Sequence, residues 1–161
     1  MIRSYEYILS ELPFVVRRTV RWGDCDPAGV VYTGRFPEYV LGALALFKEH
    51  IARASNDDRS FLGKQHGVGL PCRGMSFDFS GTLWPHTHNE VDIECFVGDI
   101  RTRTFDMHCV GRRPTGEPVF DARFSPICVR ADARISTDIP ESLRSTLQRF
   151  TRLTSEGTEK A

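Results

Sequence analysis

Apolar residues return at every second position along Phe14-Val15-Val16-Arg17-Arg18-Thr19-Val20-Arg21-Trp22. Phe14, Val16, Val20 and Trp22 share one face, with Arg18 as the exception. Successive side chains of an extended chain point to opposite faces, so this period predicts a half-buried strand. After the turn that follows, the period changes. Phe36, Val40, Ala43, Leu44, Phe47 and Ile51 recur at helical spacing and predict an amphipathic helix over roughly 34–54. Pro37 fits its first turn, where a missing N–H is tolerated. Gly42 is unfavourable inside a helix and marks the close approach of another backbone. Asn56-Asp57-Asp58 break the helix, and a short second one is expected over 59–66. Strand-like alternation then dominates: Met75, Phe77, Phe79; Val91, Ile93, Cys95, Val97; Phe105, Met107, Cys109; Phe120, Ala122, Phe124. A hairpin turn falls at Pro114-Thr115-Gly116. Near the C-terminus Asp138 is a candidate cap before Pro140, and Leu143, Leu147 and Phe150 share a helical face.

One long helix followed by an antiparallel series of about five strands gives an α+β layer arrangement. The expected core includes Val16, Val20, Trp22, Phe36, Val40, Leu44, Phe47, Phe77, Phe79, Ile93 and Phe105. The chain divides into an N-terminal extension over 1–12, one domain over 13–135, a C-terminal helix over 136–150 and a polar, frayed tail over 151–161. At 161 residues it is large enough to bury a real core. Its 21 basic and 21 acidic residues balance, which argues against nucleic acid or a membrane surface as partner. No apolar run approaches a membrane span, and the first twelve residues, with Arg3, Glu6 and Glu11, lack the apolar region of a signal peptide. A cytoplasmic protein is expected. Five widely spaced cysteines without a C-x-x-C pair fit a reducing compartment. Cys95 and Cys109 fall on the apolar phase of their strands and read as core. Cys25 lies between two acids that disfavour its thiolate.

Those acids belong to Arg21-Trp22-Gly23-Asp24-Cys25-Asp26-Pro27-Ala28-Gly29-Val30-Val31-Tyr32. Pro27 fixes φ and Gly29 permits φ > 0, so Asp26 is expected at a sharp corner. An Asp in such a turn serves either as a cap of the turn or as a reactive carboxylate. Beyond it the helix offers unpaired N–H groups and the positive end of its dipole to a developing oxyanion. The segment Asp24 to Val31 resembles the D-x-D-P-A-G-x-V signature of hotdog-fold acyl-CoA thioesterases of the 4-hydroxybenzoyl-CoA thioesterase type.

The resemblance implies a hotdog fold, in which a curved antiparallel sheet wraps a long central helix, and hydrolysis of an acyl-CoA substrate without cofactor or metal. It places the attack, or the activation of water, on Asp26, and polarisation of the thioester carbonyl on the backbone amide of Thr33. Gly29, Tyr32 and Gly34 would border the substrate. Leu41 stands where relatives often carry an acid that recognises a phenol hydroxyl, which implies a less polar aryl or acyl group here. Relatives also carry His or Tyr where this chain has Thr33, and Asn where it has Arg35. Arg101 and Arg103 are either contacts of the coenzyme A phosphates or a solvated hairpin end. Asp24 is either a stabiliser of the turn or a solvent-facing acid. The resemblance further implies a homodimer or homotetramer, with each site at a subunit interface.

Two other activities stay within the same fold. One is a dehydratase or hydratase, which would pair a His with an acid in another arrangement. The other is a non-catalytic acyl-CoA-binding protein in which Asp26 only caps its turn. His86-Thr87-His88 lacks a further ligand nearby and reads as a polar turn rather than a metal site. His50 and His66 are expected at solvent, His108 on the polar phase of its strand. No G-x-S-x-G nucleophile elbow occurs.

Overall fold

The computed structural model describes residues 5–55 and 61–152. In chain order the elements are β1 (Glu6–Glu11), β2 (Phe14–Thr19), two 3₁₀ turns (Trp22–Asp24 and Thr33–Arg35), α1 (Phe36–Ser55), α2 (Leu62–Gln65), β3 (Val68–Gly69), β4 (Cys72–Phe79), β5 (Glu90–Ile100), β6 (Phe105–Arg112), β7 (Pro118–Pro126), β8 (Val129–Arg130) and α3 (Glu141–Gln148). Six strands form one sheet in the order β1-β2-β5-β6-β7-β4, every neighbouring pair antiparallel, and β3 with β8 forms a small separate ribbon. The long helix α1 packs on β2, β5 and β6. This is the hotdog arrangement. No helix among the described residues is long and apolar enough to cross a membrane.

The helix is held by the stripe that its period announced. Phe36, Tyr39, Val40, Ala43, Leu44, Phe47, Ile51 and Ala52 are buried against inward residues of the sheet, including Val16, Ile93, Met107 and Phe120. Each large side chain so buried contributes roughly 1.5–3 kcal/mol. Aromatic contacts pin both halves of the helix: Phe36 lies 5.1 Å from Phe79 and 5.5 Å from Phe120, and Phe47 lies 5.1 Å from Phe14. Cys95 and Cys109 face each other across β5 and β6 in the core, with their Sγ atoms 3.6 Å apart.

Several expectations are corrected. Residues 6–11, expected in an N-terminal extension, form the edge strand β1 and bring the sheet to six strands. The β2 strand ends at Thr19, and Trp22 is 64% exposed, since the chain turns at Trp22–Asp24 before the alternation runs out. Phe77 is only partly buried and Phe79 is 46% exposed, because β4 is an edge strand with no neighbour on one side. Arg18 keeps the inward phase and is buried, paired at 2.7 Å with Glu6. Gly42 admits the side chain of Glu6 rather than a backbone: a Cβ there would lie 2.5 Å from its carboxylate. The last helix starts after Pro140, while Asp138 binds Arg103 at 3.0 Å. The His50 ring packs tilted against Phe14 at 4.9 Å, and His66 Nδ1 lies 2.8 Å from Ser142 Oγ, so neither simply faces solvent. The helix break at 56–58 and the tail beyond 152 lie outside the described residues, and the short second helix is described only from residue 61 onward.

Candidate active site

After β2 the chain stays tied to the sheet through one bond, Val20 N–H to the Asn89 carbonyl at 2.8 Å. It then folds into a small hairpin. Cys25 and Val31 form an antiparallel bridge, Asp26 N–H donates to the Val30 carbonyl (2.9 Å), and Tyr32 N–H donates to the Asp24 carbonyl (2.8 Å). The tip closes by Gly29 N–H to the Asp26 carbonyl at 2.9 Å, with Gly29 at φ +84°, where a Cβ would be strained. Asp26 therefore occupies the corner of a tight turn. Its Oδ1 accepts the Ala28 N–H at 2.8 Å, the bond of an Asx turn, and Oδ2 accepts no hydrogen bond from the described residues. Val31 N–H donates to the Leu83 carbonyl at 3.0 Å and moors the hairpin to the loop before β5.

The returning arm leads into Thr33–Arg35 and then α1. The first N–H groups of a helix have no partner inside it. Thr33 is exposed and begins the helix entry directly after the hairpin. The Tyr32 ring lies over Gly34, where a Cβ would meet it at 2.5 Å. Sequence order thus brings Asp26, Gly29, Tyr32, Thr33 and Gly34 into one loop at the helix entry.

Two acids flank Cys25, and the structure separates their roles. Asp24 is only 2% exposed, which excludes a solvent-facing acid. Its Oδ2 accepts the Arg21 N–H at 3.1 Å and the Tyr39 hydroxyl at 2.7 Å. Burial, and then that bond, push the Tyr39 phenol well above its ordinary range. The Cys25 thiol is raised by desolvation first, then by Asp24 and Asp26, so it stays protonated. Cys25→Ala should accordingly keep turnover within about threefold of native, and an inactive variant, read by thiol release, would point to thiol chemistry instead.

Leu41 and the two arginines lie elsewhere. Leu41 is 46% exposed and borders a groove of about 790 Å³ with Ala45, Leu46, Lys48, Leu62 and Leu70, and neither Asp26 nor Thr33 lines it. Lys48 went unnoticed in the sequence, where a lysine on a helix reads as solvated. Its ammonium lies 4.6 Å over the Phe124 ring, and burial lowers its pKa. Arg101 forks onto Asp106 at 3.1 and 2.5 Å. Burial pushes the Asp106 carboxyl up, but its bonds from Arg101 and Ser125 hold it below its ordinary value. Arg103 binds Asp138 at 3.0 Å and Ser136 at 3.3 Å. Both arginines follow the far end of β5. Its 11 residues rise about 3.3 Å each, so roughly 30 Å separate that end from the one beside the Asp26 hairpin. Within one chain the arginines and Asp26 are not neighbours. His86 packs edge-on against Trp22 at 4.5 Å, and no group of three or more metal-competent side chains occurs among the described residues.

A long helix inside an antiparallel sheet, entered through a hairpin with a carboxylate at its corner, defines a protein of the hotdog fold. A family model, the thioesterase-like superfamily, matches residues 20–147, and the chain belongs to that superfamily. It is a thioester hydrolase. It is similar to the 1,4-dihydroxy-2-naphthoyl-CoA hydrolase of Synechococcus elongatus, at 26% identity over 133 residues that cover 82% of this chain and 93% of the relative. Among solved structures it is similar to a thioesterase superfamily protein from Jannaschia sp. CCS1, with a TM-score of 0.72, 22% identity and coverage of 94% and 99% of the two chains. It is also similar to the 1,4-dihydroxy-2-naphthoyl-CoA thioesterase from Synechocystis, with a TM-score of 0.65, 16% identity and coverage of 84% and 95%.

Proposed function

We propose that the protein hydrolyses an acyl- or aryl-CoA thioester to the free acid and coenzyme A, with Asp26 as nucleophile or general base. The observation that carries this reading is the Asp26 carboxylate, with Oδ1 anchored in its turn and Oδ2 unengaged, in the hairpin that feeds the first helical amides. As nucleophile, Oδ2 bonds to the carbonyl carbon, the C–S bond breaks, the thiolate leaves and is protonated, and water then hydrolyses the anhydride. As general base, Asp26 takes a proton from the water that attacks the same carbon. Either route places negative charge on the carbonyl oxygen, which the amide at Thr33 would stabilise. The names of the similar proteins favour a coenzyme A carrier and an aryl group. The apolar groove beside Leu41 favours an acyl moiety without a polar substituent at that point.

The working unit in this reading is a homodimer or homotetramer. The distance between Asp26 and Arg101 or Arg103 along β5 favours a site to which a second copy brings those arginines. The open edges at β1 and β4 favour pairing between copies. Thiol release from a panel of acyl-CoAs tests the activity. Release of free coenzyme A supports it; addition of water to an enoyl-CoA, or tight binding without turnover, would replace it with one of the two other activities of the fold. A monomer by light scattering at full activity would overturn the shared site.

A further inference from the structure

We propose that Tyr39 is a positioning residue, which acts through buried Asp24 to set the Asp26 hairpin and the Thr33 amide at the entry to α1 in register with each other. The inference rests on the thioesterase reading above and assigns a task to the acid that the motif leaves unexplained. Asp24 gathers three separate pieces of chain. Its carboxylate takes the Arg21 N–H (3.1 Å) at the start of the turn, and its carbonyl takes the Tyr32 N–H (2.8 Å) on the returning arm, one residue before Thr33. Its Oδ2 also takes the Tyr39 hydroxyl (2.7 Å) from inside the helix. Asp26 lies two residues after Asp24 along the same arm.

The contact from the helix has no packing purpose of its own. Tyr39 is fully buried, and a phenylalanine would fill the same volume without bringing a hydroxyl and a carboxylate out of water. Burying such a pair carries a desolvation cost, and its gain is geometric definition. Tyr39 is the fourth residue of α1, about 4.5 Å along its axis from Phe36. A bond of 2.7 Å at that point therefore fixes both the rotation and the advance of α1 relative to the hairpin. The Arg18 guanidinium, 4.8 Å over the Tyr39 ring and held by Glu6, closes the other side of the ring. Helix and loop are thus keyed together from within the core. A thioester attacked from the loop and polarised from the helix depends on that key, because a misplacement of about 1 Å between reacting groups costs on the order of 10²-fold in rate.

The test compares Tyr39→Phe, Asp24→Leu and the double variant, using benzoyl-CoA hydrolysis, melting temperature, and the NMR amide signals of Ala28 and Thr33 in the full-length protein. The expected result for Tyr39→Phe is a loss in kcat of about 10- to 10²-fold, with KM within about twofold and both amide signals displaced. The double variant should lose no more than Asp24→Leu alone, since leucine offers the Tyr39 hydroxyl no acceptor and both changes break one contact. Native kcat in Tyr39→Phe, additive losses, or a fall that only tracks the unfolded fraction would overturn the proposal. If the native protein hydrolyses no thioester at all, the thioesterase reading fails, and the amide signals alone decide the coupling: displaced in Tyr39→Phe they uphold it, unmoved they end it.

Discussion

Asp26→Asn should lower kcat by at least about 10²-fold while KM and melting temperature stay close to native. The substitution is informative because it separates two roles of one side chain. Asp26 Oδ1 accepts the Ala28 N–H at 2.8 Å, and the carbonyl oxygen of an asparagine can accept the same bond, so the Asx turn survives. What Asn cannot do is attack a thioester as an anion or take a proton from water. Asp26→Ala, by contrast, removes the turn bond as well and should also cost about 1 kcal/mol of stability. If Asp26 only caps the turn, the order reverses: Asn is harmless, and Ala does the damage. Steady-state kinetics and thermal melts on both variants distinguish the two, and an Asn variant with native turnover would sink the mechanism.

The parts of this structure that were legible in the sequence are those with a period. The α1 stripe from Phe36 to Ile51 and the alternation of β5 name their buried faces because burial repeats at the spacing of the backbone. The hairpin at Pro114-Thr115-Gly116 was legible through its turn chemistry, with Gly116 at φ +103°. The edge strand β1 was not. Glu6–Glu11 buries none of its residues fully, and its order comes from backbone pairing with β2, which leaves no mark on composition. Trp22 misled for a related reason, since its alternation continues one step past the point where the backbone leaves the sheet. At the site, the motif announced the Asp26 corner because Pro27 and Gly29 constrain the chain locally. The Asp24–Tyr39 bond spans 15 residues and joins two polar atoms in the core. Nothing periodic marks such a pair, and only the packed helix brings it together. The separation of Arg101 and Arg103 from Asp26 follows from the length of β5, whose start lies beside the Asp26 hairpin and whose far end leads into the arginines.

Leu41→Asp should turn the enzyme toward a hydroxylated acyl group. In the native protein Leu41 forms an apolar stretch of the groove wall with Ala45, Leu46 and Leu70, while Lys48, Glu49 and Lys64 also line the groove. A phenol hydroxyl brought against that wall leaves water without gaining a partner, at a cost of about 1–3 kcal/mol. Native kcat/KM should therefore be no higher for 4-hydroxybenzoyl-CoA than for benzoyl-CoA. A carboxylate at this position would accept the hydroxyl proton and recover that cost. The ratio of the two kcat/KM values should then rise by about tenfold, even if total activity falls. The variant should fold, because the side chain is already 46% exposed and an acid there keeps much of its hydration. Lys48, seven residues on and so about 10 Å along the same helix, adds a favourable charge at the far end of the groove. The measurement is kcat/KM for both thioesters with both proteins. A native enzyme that strongly prefers the hydroxylated compound, or a variant whose ratio does not move, would show that the acyl group lies away from Leu41 and that the groove along α1 serves another purpose.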